Sequence, residues 1–361
     1  MTSKRVFARE ARVSDAVKRA LEQAKLKPAA LRRWAVKIVW IGGGAAIVAL
    51  IFWTGAGSVR LAIETAGWAV GAVLLIRGAA VAASGLGWFA LFPSAVRPTA
   101  LTCVLIRFLR EGANSLLPMT QVGGEVIGAR ALTLRGLPAS LSAASIIVDV
   151  LLQAVTQLLF AVVGVVTLAK MDRASDIRGV VTLIIAVGAP ALLGFYFVQR
   201  PEGQRALKML ATRVVGERQW LPFGAIDALY SRLASIYANR LGICVAGSIH
   251  MTVWFFGVFE VWLLMCAMGF QAKFSWAVVI ESLLQAIRGA AFAMPAALGA
   301  QEGGLIALCA LFGVPASAAI AMSLIKRVPD VVWGAPSLLG WQMLEGSMLL
   351  AGEDEGRSRK T

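Results

Sequence analysis

The stretch LLPMTQVGGE, from Leu116 to Glu125, decides how this chain folds. It places a proline, two glycines and an ionisable glutamate between two apolar segments. A second stretch of the same character, MPAALGAQEGG, begins at Met294. Irregular backbone at membrane depth is tolerated only where protein or a water-filled cavity covers it. The two stretches therefore predict hairpin tips inside a membrane-embedded protein.

The composition around these stretches is that of a helical membrane protein. The chain has 361 residues, of which 58% are hydrophobic and 15% charged, and a mean hydropathy of +0.75. A soluble fold would need a more charged surface, and a transmembrane barrel would show short alternating segments. We predict an all-α polytopic fold with about six full spans of roughly 20 apolar residues or more each, at 35–53, 66–92, 141–169, 180–198, 241–268 and 316–339.

The basic residues predict the orientation of the chain. Residues 1–37 hold eleven Lys and Arg against three acids, and residues 200–240 hold seven against three. Basic residues that flank membrane spans mark the cytoplasmic side. The net charge of +15 is therefore assigned to the membrane surface, and nucleic-acid binding is not expected. We predict a bacterial inner-membrane protein with cytoplasmic termini, a basic segment at 1–34, a membrane domain at 35–345, an amphipathic segment at 199–240 and a tail at 346–361.

The chain contains an internal repeat. At an offset of 177 residues, Pro118 aligns with Pro295, Glu125 with Glu302, and GLPAS at 136–140 with GVPAS at 313–317. Counting crossings from a cytoplasmic N-terminus makes 100–138 and 274–315 hairpins, re-entrant or of paired helices, that enter from opposite faces. That is an inverted-topology repeat, an architecture of many transporters. The hairpin-forming residues are predicted to be Pro118, Gly123, Gly124, Pro295, Gly299 and Gly303.

Ionisable residues inside the spans are the candidate site. Each costs roughly 2.5–3.5 kcal/mol to insert, so each needs a partner or a function. The candidates for substrate binding are Arg107, Arg110, Asn114, Glu125, Arg288 and Glu302. For the glutamates the alternative stays open that they cap hairpin ends or pair with an arginine.

A second set of residues is predicted to serve coupling or charge pairing: Glu111, Asp149, Lys326 and Asp330. The offset aligns Asp149 with Lys326 and Glu111 with Arg288, so we expect these pairs to meet near the pseudo-axis. His250, the one histidine, is expected to be a satisfied polar residue. No metal or cofactor is expected, because the four cysteines lack CxxC spacing and no GxxxxGK[ST] motif occurs.

The motif regions resemble a known family. REGANSLLPMTQVGGEVIGARALTLRGLPAS, from Arg110, and MPAALGAQEGGLIALCALFGVPAS, from Met294, are similar to the lysylphosphatidylglycerol synthase transmembrane-region family, nearest its hopanoid-biosynthesis-associated (HpnL-type) members. The resemblance implies a flippase-like, lipid-handling membrane domain. It does not imply aminoacylation, which a fused soluble domain performs in the synthases, because only a short tail follows Gly346.

Three functions are therefore weighed. The first is a flippase or transporter for hopanoid or anionic phospholipid, which is not an enzyme and has membrane lipids as partners. The second is an accessory scaffold of hopanoid biosynthesis, with hopanoid-pathway enzymes as partners. The third is an intramembrane lipid-modifying transferase with Glu125, Glu302 or Asp149 as its acid. The duplicated hairpins favour transport, and the oligomeric state stays open.

Overall fold

The computed structural model describes residues 66–117, 123–171, 192–206, 223–290 and 300–358, with isolated positions between them. The predicted segment at 1–34, the span at 35–53, most of the span at 180–198, and Pro118, Pro295 and Gly299 lie outside these residues. Within them the fold is helical, with no strand. The principal helices are α1 (Ala69–Ala90), α2 (Ala100–Leu116), α3 (Gly123–Leu134), α4 (Ala139–Ala169), α5 (Phe223–Ala238), α6 (Arg240–Ala267), α7 (Phe274–Ala290), α8 (Ala300–Ala310) and α9 (Ala316–Ser358).

Three helices in the described part of the chain are long and apolar enough to cross a membrane, namely α1, α4 and α6. They correspond to the predicted spans at 66–92, 141–169 and 241–268. The last predicted span, at 316–339, belongs to α9, which carries Lys326, Arg327 and Asp330 in its first half. Because of these three charges, the predicted span in α9 is not apolar enough to be counted with α1, α4 and α6.

α9 is longer than the span predicted from the sequence. That span was expected to end at residue 339, but the helix continues to Ser358 and includes Pro329 and Pro336. Loss of hydropathy marks where contact with lipid ends, which need not be where the helix ends.

The two predicted hairpins each consist of two helices in contact, α2 with α3 and α7 with α8. Each second helix ends in the same turn. Gly136 and Gly313 have φ of 88° and 74°, values that glycine adopts without steric cost. Leu137 N donates to Leu132 O at 3.2 Å, and Val314 N donates to Cys309 O at 3.1 Å. The bonds are those of a Schellman C-cap, so the 177-residue offset holds for the backbone of these turns.

The helix contacts also follow the offset. α1 packs on α2, α6 and α9, and α6 packs on α7, α1 and α4. α2 packs on α9, and a Cβ added to Gly112 would lie 2.7 Å from Gly334 Cα. α7 packs on α4 in the same way, and a Cβ added to Gly289 would lie 2.9 Å from Gln157 Nε2. Adding 177 to 112 gives 289, and subtracting 177 from 334 gives 157. Small residues allow both close approaches.

α1 and α6 run antiparallel. Asn239, which caps the start of α6, donates through Nδ2 to Ala90 O at the end of α1, at 3.1 Å. Arg77, nearer the start of α1, pairs with Glu260, nearer the end of α6, at 3.0 Å. Since residues 69–90 align with 246–267, two equivalent helices pack side by side in opposite directions.

α5 packs on α4 through an apolar face. Leu233 and Ile236 are buried, Ile226 and Leu229 are half-buried, and the helix packs on α4. Tyr230, one turn from Leu233, is also buried, and its hydroxyl donates to Val198 O at 2.6 Å. α5 is therefore an amphipathic helix whose apolar side covers α4.

Candidate functional site

A polar cavity of about 290 Å³ lies among eight helices, all of those described except α5. Its volume is close to the lower end of known ligand pockets, roughly 300–1,000 Å³. Its charged and polar lining consists of Arg77, Ser84, Arg107, Glu111, Asn114, Ser115, Glu125, Gln153, Gln157, His250, Gln285, Arg288, Gln301, Arg327 and Asp330. Guanidinium and amide groups of this kind can hold phosphate or carboxylate oxygens.

Helical spacing gathers these side chains on a few faces. Arg107, Glu111 and Asn114 follow one another by four and three residues along α2, and Gln153 and Gln157 by four along α4. Gln285 and Arg288 on α7, and Arg327 and Asp330 on α9, are each three apart. Residues at these separations share a face of a helix. Each helix therefore contributes a short polar stripe to one cavity.

Asp149 organises the buried side of the site. Its Oδ2 accepts from Arg110 Nη1 and from Gln153 Nε2, each at 2.8 Å, and His250 Nε2 lies 2.9 Å from Oδ1. Arg107 Nη1 is 3.5 Å from Oδ2. A buried carboxylate is tolerated only with such partners. His250 is thus a satisfied polar residue, as its sequence context predicts, and it also lines the cavity.

Arg110 was predicted to bind substrate, and the structure places it beside the cavity among buried side chains. Its side chain is 1% exposed, lies outside the cavity lining, and pairs with both Asp149 and Glu125. Its guanidinium also stacks over the Trp88 ring at 4.9 Å. The guanidinium therefore joins α2, α3 and α4.

Asn114 holds the start of α3. Its Oδ1 accepts from Gly124 N at 2.7 Å, and its Nδ2 donates to Glu125 Oε1 at 3.3 Å. A Cβ on Gly124 would meet Arg110 O and the Asn114 side chain, so only glycine allows this approach. Gly123, Gly124 and Gly303 were expected to break helices at hairpin tips. They lie instead within the first turns of α3 and α8, and Gly124 serves close packing.

A second buried cluster joins α1, α6, α7 and α9. Lys326 Nζ lies 2.8 Å from Glu281 Oε2 and 3.5 Å from Glu260 Oε2, and Glu260 also pairs with Arg77. The expected pairing of Asp149 with Lys326 is therefore wrong. Asp149 lies on α4, which packs on α7, and Lys326 lies on α9, which packs on α2. Asp149 therefore pairs with Arg110, and Lys326 pairs with Glu281.

The expected contact of Glu111 with Arg288 is also not formed. Glu111 Oε2 instead lies 3.6 Å from Arg107 Nη2, one turn away on the same helix. Glu302 pairs with Arg327 and lies outside the cavity lining, although Arg327 is part of it. Both predicted glutamates thus have an arginine partner, which was the structural alternative for each.

Several lining residues were not predicted as site residues. Gln153, Gln157, Gln285, Gln301 and Arg327 all face the cavity. The signal that could have found the first two is their spacing from Asp149: all three lie on one face of an otherwise apolar span. Gln285 is likewise three residues from Arg288 and donates through Nε2 to Glu281 Oε1 at 2.6 Å.

Comparison with known proteins identifies the family. The sequence model described as the lysylphosphatidylglycerol synthase TM region matches residues 39–335. The chain belongs to this family. A relative described as a UPF0104 membrane protein, from Methanothermobacter thermautotrophicus, is 26% identical over 298 residues, which cover 78% of this chain and 85% of the relative. No solved structure matches. Together with its apolar helices, membership of this family makes the chain a multi-pass membrane protein, and the cavity described above lies within the matched residues.

Proposed function

We propose that this protein moves lipids between the leaflets of its membrane. The observation that carries the proposal is the polar cavity, which eight helices enclose within a chain of 58% hydrophobic residues. A lipid headgroup would occupy the cavity while its acyl chains remain in the bilayer. Arg107 and Arg288 are the predicted phosphate-binding residues that line the cavity.

The family supports a lipid substrate. The description of the family names a lipid synthase and the membrane region of that synthase. We propose that this chain handles lipid without synthesising it, in a bacterial inner membrane, with hopanoid or anionic phospholipid as the substrate class. Its place among the hopanoid-associated members is part of this proposal.

An inverted repeat would suit the chain for transport, because it supplies two related arrangements of the same helices. The matching turns at Gly136 and Gly313, and the reciprocal contacts of α2 with α9 and of α7 with α4, support a duplication. The antiparallel packing of α1 on α6 supports the inversion, because a two-fold axis across a helix pair reverses one helix relative to the other. Both halves contribute to the cavity.

The test is lipid exchange in liposomes with a blocked cavity. Ala154 lines the cavity, whereas the next residue, Val155, is 36% exposed on α4 and does not line it. We expect wild-type protein and Val155→Phe to exchange acyl-labelled phospholipid between leaflets. Ala154→Phe should reduce the rate at least about tenfold, because a phenyl ring would fill much of a 290 Å³ cavity.

Folding of both variants is checked by size-exclusion chromatography. Equal exchange by Ala154→Phe and Val155→Phe would show that lipids do not pass through the cavity. Absence of exchange by folded wild-type protein, across phospholipid and polar hopanoid probes, would contradict the proposed function itself.

A further inference from the structure

Two charged side chains of the cavity have no ion pair among the described residues. They are Arg288, in the last turn of α7, and Asp330, on α9. Each other charged residue in the lining has an opposite charge within 4 Å, namely Arg77 with Glu260, Arg107 with Glu111 and Asp149, Glu125 with Arg110, and Arg327 with Glu302. The cavity thus offers one guanidinium and one carboxyl group that form no ion pair within the described residues.

The corresponding positions in the first half are satisfied within the protein. Subtracting 177 from 288 and 330 gives Glu111 and Gln153. Glu111 lies 3.6 Å from Arg107, and Gln153 accepts from Arg107 Nη2 and donates to Asp149, each at 2.8 Å. The two charged residues without an ion pair therefore belong to the second half. The aligned residues of the first half, Glu111 and Gln153, both have partners within the protein.

Opposite free charges are complementary to a ligand that carries both signs. An uncompensated charge in a membrane-embedded site is costly, and a bound counter-charge removes that cost. Guanidinium binds phosphate through paired N–H donors, and a carboxylate accepts hydrogen bonds from an ammonium group.

We propose that the cavity takes the headgroup of a zwitterionic phospholipid, with its phosphate on Arg288 and its ammonium group on Asp330. This rests on the proposed lipid exchange and gives a substrate class other than the hopanoid or anionic phospholipid that the sequence suggests. A purely anionic headgroup would leave Asp330 unmatched, and a cationic headgroup without phosphate would leave Arg288 unmatched. A small amino-phosphate headgroup also suits a cavity of about 290 Å³.

The experiment measures leaflet exchange of three acyl-labelled lipids by the full chain in proteoliposomes. The probes are phosphatidylethanolamine, phosphatidylglycerol and a cationic diacyl lipid that lacks phosphate. Wild-type protein should exchange phosphatidylethanolamine about tenfold faster than either other probe, the effect of one charge-assisted contact. Asp330→Asn should remove that advantage while exchange of phosphatidylglycerol is retained. Arg288→Gln should slow both phosphate-bearing lipids.

The control is Arg135→Gln, at an exposed position in the turn after α3, which should behave as wild type. Wild-type protein that exchanges all three lipids equally would overturn the zwitterion assignment while leaving lipid exchange in place. So would Asp330→Asn that slows phosphatidylethanolamine and phosphatidylglycerol to the same degree, because that is the result of a structural role. Exchange of no lipid would instead contradict the proposed function.

Discussion

At the scale of single residues, the buried charges are explained by the need to pair. Asp149, Glu260 and Glu281 are each at most 1% exposed, and each lies beside a basic side chain. The sequence predicted that such residues need partners, because the cost of inserting a charge does not depend on the fold. It could not predict which partner each would have, because that depends on which helices pack together.

The Lys326–Glu281 pair gives a prediction at this scale. Lys326→Met would leave Glu281 buried with only Gln285 as a polar partner and should cost about 3–5 kcal/mol. Adding Glu281→Gln removes the uncompensated charge, so the double variant should recover most of the loss. Glu260 keeps Arg77 in both variants. The measurement is the thermal unfolding midpoint in detergent.

Lys273→Met, at an exposed position before α7, is the control and should leave the midpoint unchanged. A double variant less stable than Lys326→Met alone would show that Glu281 is held by something other than this charge pair.

At the scale of helices, close packing of α2 on α9 depends on two glycines. A Cβ on Gly334 would lie 2.9 Å from both Gly112 Cα and Leu116 Cδ1, whereas a Cβ on Gly340 in the same helix would meet nothing within 4 Å. The sequence predicts helices here from hydropathy and turn residues. It predicted a span at 316–339 that includes both prolines of α9, but it did not predict that the helix continues to Ser358.

These glycines give matched substitutions within one helix. Gly334→Ala should lower the free energy of unfolding by about 1–3 kcal/mol, because one neighbour is backbone and cannot move aside. Gly340→Ala should be neutral or stabilise by up to about 1 kcal/mol, because alanine favours helix. Thermal midpoints of the two variants test this contrast. Equal midpoints would mean that α2 and α9 are not in close contact.

At the scale of the whole molecule, the sequence repeat predicted more than the individual site residues did. The 177-residue offset came from short motifs, yet it also relates the turns at Gly136 and Gly313 and the helix contacts around them. The cavity could not be predicted in the same way. Its lining comes from eight helices, and which of their faces meet depends on how the helices pack.

The central claim is that two oppositely oriented halves enclose a site for lipid headgroups, and labelling of Ala139 and Ala316 tests the orientation most directly. These exposed residues begin α4 and α9, and adding 177 to 139 gives 316. Each is replaced by cysteine in a chain whose Cys103, Cys244, Cys266 and Cys309 are alanine. A membrane-impermeant maleimide is then applied to right-side-out and to inverted membrane vesicles.

We expect Ala139→Cys to be labelled only in inverted vesicles, because the proposed orientation puts the turn before α4 in the cytoplasm. Ala316→Cys should be labelled only in right-side-out vesicles. Labelling of both positions from the same side would contradict the inverted arrangement and remove the basis for alternating access to the cavity.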